Sequence, residues 1–168
     1  MPDPSPEFIL ETERLLLRPI QPGDAELQFR FLNSPSITEH LGGPAELEDI
    51  EAKHAKTMEF HAREGFGWLM LFERESGELV GHCGLKRVDH EAAKNIGDFE
   101  IGWIIREDRW RRGLASEAIG AVLEWAFVTH RAPHVVALTA ERNMPSWRLM
   151  EKLGMERRED LDFEDPRF

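Results

Sequence analysis

Near the middle of the chain, Trp110-Arg111-Arg112-Gly113-Leu114-Ala115-Ser116-Glu117 brings together the properties that hold an anion. It lies between an apolar run ending at Ile105 and a helix-like run starting at Leu114. A helix start leaves four backbone N–H groups unpaired and carries partial positive charge. Gly113 and Ala115 let an anion approach that backbone, and Arg109, Arg111 and Arg112 add full charges. This composition suits a pyrophosphate cradle, and equally a solvated basic turn ahead of a helix. It is not a Walker loop, since Gly-Lys-Ser is absent, and it lacks the glycine count of a dinucleotide fingerprint.

Other chemistry is narrowed by what the chain lacks. It has no Tyr, so no mechanism can use a phenol. Its histidines do not form a metal site. Pro133 breaks the spacing between His130 and His134, His54 and His61 are two helical turns apart, and His82 and Cys83 are strand neighbours pointing to opposite faces. With one Cys there is no internal disulfide framework.

The elements that must position the loop follow from periodicity. Residues 8 to 20 alternate as a first strand, ended by Pro19. Asp24 is placed to cap a helix reaching Leu32, and residues 46 to 64 carry apolar positions at helical spacing. Residues 68–72 and 79–85 read as a hairpin, and 96–105 as a further strand. A helix is expected from Leu114 to Thr129, a buried strand at 135–140, and a last helix opened by Asn143-Met144-Pro145-Ser146 and stopped by Gly154. The fold class is therefore α/β (α+β): one mixed sheet flanked by helices, in the order β-α-α-β-β-β-α-β-α. Residues 1–7, with three prolines, form a mobile N-terminal arm, and 8–168 form a single domain.

Three segments in this order resemble the GNAT acetyltransferase superfamily, most closely its RimJ/RimL-like branch. Trp110-x-x-Gly113-x-Ala115, followed by Ser116-Glu117-Ala118, is similar to the family's cofactor loop, with Arg111 where a Gly is usual. Thr12-Glu13-Arg14-Leu15-Leu16-Leu17-Arg18-Pro19 looks like the branch's opening strand. Asn143-x-x-Ser146-x-Arg148-x-Met150-Glu151-Lys152-Leu153-Gly154-Met155 is similar to its closing helix. The resemblance spans residues 9 to 157. It implies acetyl-CoA as co-substrate and no metal. Backbone groups of Trp103, Ile104 and Ile105 would pair with the pantetheine arm. Trp110 would hold the loop's first position, and the amides of Arg111, Arg112, Gly113, Leu114, Ala115 and Ser116 would hold the pyrophosphate. Asn143 would reach the pantetheine, and Ser146 would lie near the sulfur.

Acetyl transfer to an amine needs a base, a donor for the oxyanion and an acid for the thiolate. On an alternating strand Asp98, Glu100 and Gly102 share one face, so Glu100 is the candidate base, against the plainer reading of an exposed strand carboxylate. A backbone N–H near Ile104 is the candidate oxyanion donor. Relatives outside the branch use a Tyr as acid, and Ser146 is the position the branch motif offers instead; it also fits a plain first-turn residue beside Asn143 as cap. Phe66, Trp68 and the 33–43 loop are candidates for the acceptor wall.

The expected activity is N-acetyl transfer from acetyl-CoA to an amine, either a protein N-terminus or a small molecule. The alternatives are a non-catalytic CoA-binding or sensor module of the same fold, and an acyltransferase for a longer acyl-CoA. A net charge of −11 argues against nucleic acid and fits a cationic acceptor or simple solubility. No apolar run approaches a membrane span and no signal peptide is visible, so a cytoplasmic place is expected. The family's usual closing strand follows a segment like residues 161–168, where this sequence ends. A homodimer, or an ordered tail, would then cover the sheet edge.

Overall fold

The computed structural model describes residues 7–166. All of the expected arm except Glu7 lies outside them. The expected first strand is a hairpin: β1 (Leu10–Glu11) and β2 (Leu15–Pro19) turn at Thr12-Glu13-Arg14. Then come α1 (Asp24–Phe31), the one-turn α2 (Pro35–Thr38) and α3 (Leu47–Glu64). Strands β3 (Trp68–Glu73), β4 (Leu79–Arg87) and β5 (Phe99–Ile105) follow, then α4 (Leu114–Glu124), β6 (Val135–Val136) and α5 (Met144–Lys152). A π-helical turn, Trp125–Thr129, prolongs α4. The six strands lie in chain order, antiparallel from β1 to β5, with β6 parallel to β5.

Alternation places two different layers on the sheet. Leu15, Leu17, Leu69, Leu71, Leu85 and Ile101 point to one face and are buried under Leu114, Ala118, Ile119 and Val122, the apolar stripe of α4. Ile20, Met70 and Leu79 point to the other face, packed with Leu32 and with Leu27 of α1 and Met58 of α3. Each such aliphatic side chain contributes roughly 1.5–3 kcal/mol of burial free energy.

Two expectations are corrected. Asp24 is not a cap: Gly23 holds that position, and Asp24, first in the helix, accepts two hydrogen bonds from Arg18, at 2.7 and 2.9 Å, and one from the Gln21 N–H. The strand expected at 135–140 shrinks to two residues, because only Phe99 and Glu100 pair with it. An apolar run does not make a strand without a partner for its backbone, and here the chain leaves β5 after Val136. The tail folds back on the loop after β4, where Phe163 stacks on His90 and Lys94 donates to the Asp160 carbonyl. Among the described residues no helix is long and apolar enough to cross a membrane.

Candidate active site

Where β6 diverges, residues 101–105 of β5 face a gap. The Arg106 N–H bonds the Val80 carbonyl and the Asp98 carbonyl accepts from Val88, so the even-numbered positions between them turn their backbone toward β4. By the same alternation Trp103 and Ile105 turn theirs to the gap. Ile104 is of the other parity: its backbone is turned to β4 and not to the gap, contrary to the expectation that it would pair with the pantetheine arm, and the backbone donors near it that face the gap are the N–H groups of Trp103 and Ile105. The Ile105 carbonyl already accepts from Trp110 Nε1, at 2.8 Å.

The loop after β5 ends in two left-handed residues, Arg111 (φ 62°) and Gly113 (φ 75°), and Gly113 is the N-cap of α4 with no side-chain cap bond. Arg111, Arg112 and Gly113 are exposed, whereas Leu114 is buried and anchors the helix start; Ala115 and Ser116 are half-buried. The first-turn amides are therefore presented to solvent without a side-chain partner, in a backbone shape that gathers N–H groups. Among the described residues the Arg111 and Arg112 side chains meet no carboxylate. Arg109 does not add free charge, contrary to expectation: it is held by Glu78 at 2.5 Å, Asp108 at 3.2 Å and Glu73 at 3.5 Å.

The loop is also tied to the β1–β2 turn. Glu117, in the first turn of α4, accepts from Thr12 Oγ1, Arg14 Nε and the Arg14 N–H, and Arg14 Nη1 donates to the Arg112 carbonyl. Burial raises the Glu117 carboxyl, but the bonds from Thr12 and Arg14 outweigh it, and the group lies below its ordinary value. The sequence signal for this link, Thr-x-Arg before a strand and Glu four residues past Gly113, was visible only as family resemblance.

On the opposite layer Glu100 is half-buried, on the face that also carries Gly102 and Ile104. Burial pushes its carboxyl up, the cross-strand Lys86 pulls it down, and Asp89 adds to the rise; the net shift is upward. A raised carboxylate suits a base working near neutral pH. Trp68 reaches across this face: a Cβ at Gly102 would overlap the far edge of its indole. Trp68 stacks on His82 with ring centroids 4.6 Å apart. His82 is buried, neither ring nitrogen has a partner among the described residues, and burial, with His54 nearby, pushes its pKa down to about 3. Phe66 does not join this wall; it is buried in the core against Phe60 and Phe99.

Asn143 caps α5, its Oδ1 accepting from the Ser146 N–H at 3.4 Å. Helix α5 packs on the α4 layer through Leu149 and Leu153, so Ser146 and Glu100 belong to opposite layers of the sheet. Among the described residues no group of three His, Cys, Asp or Glu side chains could hold a metal ion. Cavities of about 340 and 270 Å³ lie elsewhere, the first beside Phe127 and Leu153, the second between α1 and α3 beside His54.

The chain is similar to known acetyltransferases in sequence and in fold. Residues 14–156 match the family model described as an acetyltransferase (GNAT) domain. An uncharacterised N-acetyltransferase of Bacillus subtilis, YoaA, is 32% identical over 153 residues, covering 89% of this chain and 83% of that protein. The crystal structure of an acetyltransferase from Agrobacterium tumefaciens superposes with a TM-score of 0.80 at 30% identity, covering 94% of this chain and 89% of that one. A putative ribosomal-protein-serine acetyltransferase from Vibrio cholerae superposes at 0.74 with 21% identity, over 92% and 87% of the two chains, which shows a shared fold.

Proposed function

The chain belongs to the GNAT acetyltransferase family and is an enzyme of the acyltransferase class, and from that premise we propose that it passes an acetyl group from acetyl-CoA to an amine by direct attack in a ternary complex. The observation that carries this is the unpaired edge of β5 running into the exposed, left-handed start of α4. Trp103 and Ile105 would meet the pantetheine arm as a neighbouring strand does, with Asn143 beside it. The amides of residues 111–116 would hold the pyrophosphate, helped by Arg111 and Arg112.

The two layers then divide the chemistry. Glu100, on the α1/α3 side, takes the proton from the attacking amine, directly or through a water. As the C–N bond forms, a backbone N–H beside Ile104, that of Trp103 or Ile105 and whichever the pantetheine arm leaves free, donates to the carbonyl oxygen that gains charge. When the C–S bond breaks, the Ser146 hydroxyl, on the α5 side, donates a proton to the departing sulfur and is reprotonated from solvent. The base then stands on the acceptor side and the acid on the thiol side of the sheet.

A thiol-release screen of amines and peptides with acetyl-CoA tests the reading. Release that depends on one class of amine and is lost in Glu100→Gln supports it. Tight acetyl-CoA binding without release by any amine would point instead to a CoA-binding module.

A further inference from the structure

The peptide joining Arg112 to Gly113 is gripped from one side. Its carbonyl accepts from Arg14 Nη1 at 2.8 Å. Arg14 cannot move freely, because Nε and the backbone N–H both donate to the Glu117 carboxylate, at 2.8 and 3.0 Å. Thr12 Oγ1 donates to the same carboxylate and accepts the Leu15 N–H at 3.0 Å. Glu117 is itself fixed by the helix, its N–H bonding the Gly113 carbonyl at 3.1 Å. The β1–β2 turn thus reaches across about a hundred residues of sequence to one peptide group of the loop.

In a trans peptide the C=O and N–H point in opposite directions. Fixing the Arg112 carbonyl on Arg14 therefore aims the Gly113 N–H away from the β1–β2 turn. The fixing matters at this place, because Arg111 is a non-glycine residue in the left-handed region and Gly113 follows it there. Such backbone persists where its surroundings over-determine it. Without the grip, this exposed peptide can rotate and turn its oxygen outward, where it would repel an anion.

We propose that Arg14, seated by Thr12 and Glu117, is a positioning residue for the pyrophosphate loop, holding the Arg112–Gly113 peptide with its N–H turned outward to receive the anion. This rests on the acetyl-CoA reading above. It differs from a plain brace between β2 and α4 in one respect: its effect is confined to ligands that carry the pyrophosphate.

The test compares acetyl-CoA with acetyl-pantetheine, a thioester without the pyrophosphate. Arg14→Ala should raise the Michaelis constant for acetyl-CoA about tenfold or more, with turnover at saturation and the use of acetyl-pantetheine nearly unchanged. Thr12→Val, which removes the hydroxyl, should raise the same Michaelis constant in the same selective way, whereas Thr12→Ser, which keeps it, should behave as wild type. Arg14→Lys, a single donor unable to span both Glu117 and the Arg112 carbonyl, should give an intermediate loss and serves if the alanine variant does not fold. Equal acetyl-CoA affinity in wild type and Arg14 variants, or an equal loss with both thioesters, overturns the inference. Failure of the unmodified protein to bind acetyl-CoA overturns the underlying functional reading instead.

Discussion

Beneath α4 the sheet meets mainly apolar side chains, with Leu85, Ile101, Ile119 and Val122 shut away from solvent and His61 and His130 set against Trp125, whereas beneath α1 and α3 it meets Arg18, Asp24, His54 and His82. The first layer supports a loop that offers backbone amides; the second carries side chains that ionise. Backbone recognition suits a partner that never changes, and it needs rigidity more than particular side chains. The polar layer suits the variable partner, and it is the costlier to build. Arg18 and Asp24 satisfy one another through two hydrogen bonds. His82 has no such partner among the described residues, and an unpaired buried polar group costs about 1–3 kcal/mol.

The sharpest way to break this division is at Gly113. Its φ of +75° strains any other residue, and a carboxylate there would repel a phosphate. Gly113→Glu should abolish acetyl-CoA binding in a calorimetric titration while the α1/α3 layer stays folded. Binding as in wild type would remove the cradle from the start of α4.

On the other layer, Glu100→Gln should lower kcat/KM by about 10²–10⁴-fold for a lysine-type amine. Since burial raises this carboxyl, the acidic limb of the wild-type pH–rate profile should lie above the ordinary carboxylate range, with the rate climbing as Glu100 loses its proton. An α-amine, whose pKa is about 7.7–8.0 against roughly 10.4 for lysine, needs less help, so a small effect near pH 8 would identify that acceptor class. A profile unaltered by the substitution for every acceptor would remove Glu100 from the mechanism.

Ser146→Ala should lower kcat about tenfold or more. Folding should be spared, because the Asn143 cap is made to the Ser146 N–H and not to its hydroxyl. An unchanged kcat leaves water to protonate the thiolate.

The sequence made the aliphatic layer readable and left much of the polar one hidden. The stripe from Leu114 to Val122, the glycine before it and the alternation placing Glu100 opposite Ile101 are local patterns, so α4, its loop and the face of Glu100 follow from spacing. Pairing is not local. That β6 stops at Val136 depends on β5, that Arg109 is neutralised depends on Glu73 and Glu78 of the β3–β4 hairpin, and that Trp68 lies over Gly102 depends on a strand two places away in the sheet. The grip of Arg14 on Arg112 is of the same kind, and no window along the chain contains both.

The smallest effect at neutral pH belongs to His82. Its folded pKa of about 3 lies below its ordinary 6.5, so the unfolded chain binds the extra proton first. The stability contributed by the neutral ring is complete above pH 6.5 and is lost as the pH falls toward 3. His82→Leu should flatten that loss in urea titrations across this window, by an amount on the order of a few kcal/mol at its acidic end, and change little at pH 7. A slope identical to wild type would mean that the ring is not held neutral in the folded protein.

Hydrogen exchange with and without acetyl-CoA addresses the division of the two layers most directly. The expected result is slowed exchange at the amides of Trp103, Ile105 and residues 111–116, with the amides of α1 and α3 unaffected until an acceptor is added. Protection that appears first under α1 and α3, or that spares residues 111–116, would contradict it.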